Sequence, residues 1–78
     1  MRLSVYSLKG VEYVGEASGV NVKTLSGEIT ILENHRPIIT ALKKGLLKIY
    51  KQGNMVEEIS IHSGFLELND NKLQILID

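Results

Sequence analysis

The chain has 78 residues and no cysteine, so neither a disulfide nor a thiolate metal site is available to it. Nine basic and nine acidic side chains give a formal net charge of zero, which argues against a nucleic-acid-binding protein. No apolar run approaches the roughly 20 residues needed to span a bilayer, and the first residues alternate in polarity, unlike a signal peptide. Because so short a chain buries only about 60% of its unfolded surface, we expect one domain, residues 1–78, of thin stability margin.

Apolar residues recur with a period of two along most of the chain, which is the pattern of β-strands. In chain order the alternating residues are Leu3 and Val5, Val20 and Val22, Ile29 and Ile31, Ile59 and Ile61, Leu66 and Leu68, and Leu73, Ile75 and Ile77. In the last run, Leu76 adds an apolar residue on the second face. Short strands at even spacing predict an all-β protein, a small β-sandwich of about ten strands in two sheets.

Turn-forming residues separate these runs, at Leu8–Gly10, Ser26–Gly27, Lys44–Gly45, Gln52–Asn54 and Asn69–Asn71. Gly64 lies between two apolar runs, where a glycine indicates a bulge or a close approach of the backbone. Residues 37–47 have only partial helical spacing, and we interpret them as strand, turn and strand.

The sequence contains no recognisable catalytic, metal or nucleotide site. His35 and His62 are the only histidines, and their spacing to carboxylates matches no metal pattern. Ser60 and His62 share one strand face, but no third orienting group or nucleophile elbow accompanies them. The seven glycines are dispersed and none opens a helix, so no phosphate-binding loop is predicted.

One segment, residues 27–37, combines a short apolar run with a polar stretch that ends at the only proline. Pro37 fixes its own φ and biases Arg36 toward extended geometry, so Asn34, His35 and Arg36 should be displayed on an ordered loop. An ordinary connection would explain this segment. A contact loop would explain it too, since polar groups on a stiff backbone lose little entropy on docking.

The same segment resembles the signature of the ATP synthase epsilon family. The matching residues are Gly27, Glu28, Ile31, Leu32, Asn34, His35, Pro37, Thr40, Ala41, Leu42 and Gly45. A second block, Gly64–Leu68 followed by Asn71–Leu73, and a third, Gly10, Val11, Tyr13 and Gly15, are also similar to the family. The sequence departs from the pattern at Thr30, Glu33, Arg36 and Ser63.

The resemblance implies a non-catalytic central-stalk subunit that binds the gamma subunit and the membrane c-ring and turns with both. It implies no cofactor, no nucleotide binding, and a place at the cytoplasmic face of a bacterial membrane. The contacts that we expect with the c-ring are Glu28, Asn34, His35 and Arg36. Those that we expect with gamma are Pro37, Ile38 and Thr40.

The family continues into a C-terminal helical hairpin, whereas this sequence stops at Asp78. The resemblance therefore predicts coupling without the inhibition that the hairpin provides. Two other readings stay open at this point. One is a stand-alone β-sandwich adaptor with another protein partner, and the other is a small enzyme that uses His35, His62 and nearby carboxylates.

Overall fold

The computed structural model describes residues 1–78, which form nine strands and one short 3₁₀ turn. The strands are β1 (Arg2–Ser7), β2 (Gly10–Glu16), β3 (Gly19–Thr24), β4 (Gly27–Leu32), β5 (Ile38–Leu42), β6 (Gly45–Tyr50), β7 (Val56–Ile61), β8 (Gly64–Asn69) and β9 (Lys72–Ile77), and the 3₁₀ turn is Gln52–Asn54. The all-β prediction is confirmed, with nine strands where about ten were expected. Residues 37–47 are strand, turn and strand, as their weak helical spacing indicated.

The strands form two halves of one curled sheet. One half has the order β2-β1-β9-β8-β5, and the other has the order β4-β3-β6-β7. All neighbours are antiparallel except β1 and β9, which are parallel. A single residue pair, Thr24 and Leu42, joins β3 to β5 and makes the hydrogen bonding continuous. The two predicted sheets are thus connected, because the short β5–β6 turn carries the chain directly from one half to the other.

The inward faces of both halves supply one hydrophobic core, which is the packing of a small sandwich. Most of its members come from the alternating positions that the sequence pattern predicted, and they are joined by Met1, Ala17, Leu42, Leu47 and Ile49. Each buried aliphatic side chain of this kind contributes about 1.5–3 kcal/mol through removal from water. The predicted strand residues Ile29, Ile59 and Ile77 are only partly buried and pack against the edge of the core.

Turn chemistry fixes the strand ends as predicted. Gly53 and Asn54 have φ of 73° and 62°, and Asp70 and Asn71 have φ of 51° and 60°, so both loops use the left-handed region that glycine, asparagine and aspartate tolerate. At Gly64, a Cβ would lie 2.5 Å from the carbonyl oxygen of Leu76. The predicted close backbone approach is therefore present at that residue.

The turns gather at two ends of the molecule. The 43–44 end holds the connections at residues 8–9, 25–26, 43–44 and 62–63, and the 33–37 end holds those at 17–18, 33–37, 51–55 and 70–71. Near the 33–37 end, the ammonium of Lys51 bridges the outermost strands of the two halves. It lies 2.6 Å from Glu57 Oε1 on β7 and 5.0 Å from the ring centre of Tyr13 on β2.

Candidate interaction surfaces

An exposed apolar stripe crosses the outer face of the five-stranded half. Strand register places Ala41 beside Phe65, Phe65 beside Leu76, Leu76 beside Tyr6, and Tyr6 beside Val11. We call these five residues the apolar stripe. Phe65 and Leu76 are 50% and 59% exposed because their strand neighbours Leu66 and Ile75 point inward to the core. The stripe crosses five strands at a spacing of about 4.8 Å and so extends about 19 Å.

A β-bulge completes the stripe at its β2 end. Val5 pairs with Tyr13 but Tyr6 pairs with Val11, which leaves Glu12 as the extra residue. Residues three apart in a regular strand lie on opposite faces. The bulge instead turns both Val11 and Val14 outward, and both are exposed.

The polarity of this face changes along the strands. Ile39, Glu67, Gln74 and Ser4 form the next row toward the 33–37 end, and Asn69, Lys72 and Arg2 form the row after it. Tyr6, Ile39, Phe65, Gln74 and Leu76 border a shallow hollow of about 260 Å³. The face is thus apolar toward the 43–44 end and polar toward the 33–37 end. Protein interfaces likewise combine an apolar centre with a polar rim.

The outer face of the four-stranded half carries a polar groove of about 390 Å³ instead. Its lining side chains are Asn21, Lys23, Glu28, Lys44, Lys48 and Ser60, with Gly45 and Leu46 beside them. The amide Nδ2 of Asn21 donates to Glu28 Oε2 at 3.1 Å and to Thr30 Oγ1 at 2.9 Å. No cation lies within 4.0 Å of the Glu28 carboxylate, so this oriented acid is available to a partner.

Local contacts order the loop 33–37, as the proline predicted. Asn34 has φ of 64°, and the backbone N–H of Asn34 donates to Asn71 Oδ1 at 3.4 Å. The Nδ1–H of His35, an exposed residue, donates to the carbonyl of Arg36 at 2.7 Å. Glu33 Oε1 lies 2.7 Å from the amino nitrogen of Met1. The exposed polar groups of this loop are therefore held on a defined backbone.

The structure does not bring the four predicted ring contacts into one cluster. Glu28 lies near the 43–44 end, whereas Asn34, His35 and Arg36 lie at the 33–37 end. Glu28 and Leu32, the last residue of β4, are four strand positions apart, which at about 3.3 Å per residue corresponds to about 13 Å. Because β4 pairs only with β3, Glu28 lies on a free edge of the sheet, and the loop with the other three residues follows the end of that strand.

The predicted gamma contacts are also divided. Pro37 is exposed, but Ile38 packs against the core and Thr40 is half-buried. Ile39 points outward and is 66% exposed, so the strand presents the residue between the two that were predicted. The apolar stripe was not predicted from sequence, although the second apolar face of the last strand, at Leu76, was a signal for it.

The residues considered for chemistry do not converge. His62 Nδ1 lies 3.2 Å from Asp78 Oδ2, and Asp78 Oδ1 accepts the backbone N–H of His62 at 3.0 Å and of Ser63 at 3.3 Å. The hydrogen bond from the His62 amide is the main reason why the pKa of Asp78 is lowered. No three His, Asp or Glu side chains are grouped so that they could hold a metal ion. No helix is long and apolar enough to cross a membrane.

Fold and surfaces together define a small β-sandwich with two differently built outer faces, one apolar and one charged. The sequence matches, over residues 1–78, the family described as ATP synthase, Delta/Epsilon chain, beta-sandwich domain. The chain belongs to this family, which confirms the resemblance seen in the sequence.

Several relatives are named ATP synthase epsilon chain. Those of Aquifex aeolicus, Leptospira interrogans and Brevibacillus brevis are 37%, 36% and 33% identical over all 78 residues. The chain spans 58%, 61% and 59% of the length of these relatives.

Two solved structures share the fold. A chain in the cryo-EM structure of Euglena gracilis mitochondrial ATP synthase matches 96% of this chain and 48% of its own length, with a TM-score of 0.90 and 21% identity. A chain in the central stalk and c-ring structure of the Tetrahymena thermophila enzyme matches 99% of this chain and 62% of its own length, with a TM-score of 0.84 and 18% identity.

Proposed function

We propose that this chain is the β-sandwich of a central-stalk rotor subunit of an ATP synthase, without catalysis of its own. It binds the gamma subunit through the apolar stripe and the c-ring through the polar groove, at the cytoplasmic face of a bacterial membrane. The family assignment and the names of the relatives support the complex. The exposed apolar stripe is the observation that carries the gamma contact.

The stripe suits a lasting protein interface. Long-lived interfaces centre on apolar and aromatic side chains, and charged residues lie at the rim. Phe65 and Leu76 form such a centre, and Glu67 and Gln74 lie one row away. Pro37 borders the same face beside Ile39, so it remains in the proposed contact, while Ile38 and Thr40 support it from the inner side of the strand.

The polar groove suits the surface loops of a membrane ring, which are polar where they meet water. Glu28 presents a carboxylate oriented by Asn21 and free of any ion pair. A ring that also touched Asn34, His35 and Arg36 would lie lengthwise along the free edge of β4. We therefore propose this edge, with the groove beside it, as the ring-facing side.

The test is co-purification with a gamma subunit from the same source, comparing the wild type with the double variant Phe65→Ser/Leu76→Ser. Removal of two central apolar contacts should cost about 2–4 kcal/mol of binding, which is about 30- to 1,000-fold in Kd. Leu8→Ser is the matched control, since Leu8 is fully exposed on a turn outside the stripe. Circular dichroism should show all three proteins folded.

Two outcomes would contradict the proposal. Equal affinity of the double variant and the wild type would remove the stripe from the interface. Failure of the folded wild type to bind gamma at all would leave a β-sandwich adaptor with another partner.

A further inference from the structure

The hollow on the outer face of the five-stranded half places a carboxylate beside an aromatic ring. Its volume is about 260 Å³, and its outward-facing lining residues are Tyr6, Ile39, Phe65, Leu76, Glu67 and Gln74. Glu67 is the only charged residue in the lining. It follows Phe65 by two positions on β8, so both side chains point outward, about 6.6 Å apart along the strand. Strand register places Gln74 beside Glu67, which gives the apolar hollow one polar wall.

The chain itself supplies no cation to the Glu67 carboxylate. Glu67 is exposed, and no basic group lies within 4.0 Å of it. Its neighbour across β5 is Ile39, which has no side-chain donor. The basic residues of this face, Lys72 and Arg2, lie one row nearer the 33–37 end, where they pair with each other in the strand register. The acid at the edge of the hollow is therefore available to a partner.

A partner that covers the apolar stripe must also satisfy this acid. Covering the hollow removes Glu67 from water, and a carboxylate that loses water is costly unless a cation pairs with it and donates hydrogen bonds. An interface made only of apolar side chains would leave the acid unpaired. Arginine fits the site best among the basic residues, because its planar guanidinium binds a carboxylate through two parallel hydrogen bonds and stacks on aromatic rings. It is also more weakly hydrated than the ammonium of lysine, which suits an apolar hollow.

We propose that the hollow receives an arginine side chain of the gamma subunit. The guanidinium donates to the Glu67 carboxylate and to the side-chain carbonyl of Gln74, and its plane lies against the ring of Phe65, which is 50% exposed. This inference rests on the proposed function, in which the stripe binds gamma, and it names the residue that gamma supplies at the polar border of the stripe. A charge pair at this position determines the register of the two subunits, which the apolar contacts alone do not specify.

The experiment measures the affinity of gamma for the wild type and for Glu67→Gln, which keeps the shape of the side chain and removes its charge. Loss of the charge-assisted hydrogen bonds should raise Kd about 10- to 150-fold. Glu58→Gln is the matched control and should bind as the wild type does, because Glu58 is an exposed glutamate on β7, in the other half of the sheet. Phe65→Leu keeps an apolar side chain but removes the ring, and it should raise Kd about 2- to 30-fold. Circular dichroism should show all variants folded.

The decisive arm uses gamma subunits in which each arginine is replaced by lysine in turn. One replacement should weaken binding to the wild type and have no further effect on binding to Glu67→Gln, since two residues in contact are not additive. Absence of such coupling for every arginine, or coupling of Glu67 to a lysine of gamma instead, would overturn the inference.

The remaining outcomes separate this inference from the proposed function. If Glu67→Gln binds gamma as the wild type does while Phe65→Ser/Leu76→Ser loses affinity, the arginine contact is refuted and the stripe remains the gamma interface. Wild-type affinity of Phe65→Leu would refute the contact between the guanidinium and the ring. Failure of the folded wild type to bind gamma would refute the proposed function itself.

Discussion

Substitution of Gly64 by alanine should destabilise the fold through a backbone collision. The added Cβ would lie 2.5 Å from the carbonyl oxygen of Leu76, and 3.3 Å and 3.4 Å from side-chain carbons of Leu42 and Ile77. A carbon and an oxygen in ordinary contact are about 3.3–3.6 Å apart, so β8 and β9 would have to separate by nearly an ångström. Overpacking of this kind costs about 1–3 kcal/mol.

Thermal unfolding followed by circular dichroism measures the effect of Gly64→Ala. In a domain of this size each kcal/mol shifts the midpoint by about 4–8 °C, so the expected fall is about 4–24 °C. Gly15→Ala is the matched control, since the three atoms nearest its Cβ would all belong to Tyr13, with the hydroxyl oxygen closest at 3.4 Å. That variant should be neutral or slightly more stable, because alanine restricts the unfolded chain. An unchanged midpoint for Gly64→Ala would show that the strands yield freely there and would refute the reasoning.

Three further substitutions test the core and the two charged contacts. Leu66→Ala, at a side chain with no exposure, should cost about 2–5 kcal/mol in urea unfolding, and a cost below that range would show that the core collapses around the cavity. The hydrogen bond to Glu57 raises the pKa of Lys51 above its usual 10.5. The contact therefore contributes its full stability at pH values below the pKa of Lys51 in the unfolded chain, and this contribution is lost as the pH rises through the pKa of Lys51 in the folded chain. The Lys51→Met variant should therefore have a lower melting temperature than the wild type at pH 8, and its melting temperature should not show the fall at alkaline pH that loss of this contact causes. Identical melting temperatures of the two proteins from pH 8 into the alkaline range would contradict the Lys51–Glu57 bridge. The hydrogen bond from the His62 amide lowers the pKa of Asp78 below 3.8, so its contribution is present above that value and is lost as pH falls through the folded pKa. Asp78→Asn should remove this part of the acid dependence of the melting temperature, and an unchanged acid profile would argue against it.

The strands and turns could be predicted from sequence because each depends on neighbouring residues. Alternation at Leu66 and Leu68 identifies a strand and its inward face without knowledge of its partners. The asparagine and aspartate residues at 69–71 specify a tight turn in the same local way. What the sequence did not show was the single pair, Thr24 and Leu42, that makes two sheets into one, since that contact depends on the packing of the whole chain.

The candidate surfaces depended on information that is not local. Ile38 and Ile39 are equally apolar, and only the side on which β5 meets the core decides which one is exposed. The stripe arises where five strands that are distant in sequence come into register, and its β2 end requires the bulge at Glu12. Nearness in sequence likewise grouped Glu28 with Asn34, although the length of β4 separates them.

The positions of the two surfaces support their proposed roles in one rotor. The stripe and the groove lie on opposite faces, but both are displaced toward the 43–44 end, where the Thr24–Leu42 pair and the β5–β6 turn connect the two halves. Both are built mainly on strands, whose positions are fixed by backbone hydrogen bonds and by a shared close-packed core. In the proposed rotor, force that enters at the groove would reach the stripe through the shared core and across the sheet junction. A substitution that loosens this junction should weaken the mechanical coupling of the two partners while leaving each contact chemically intact.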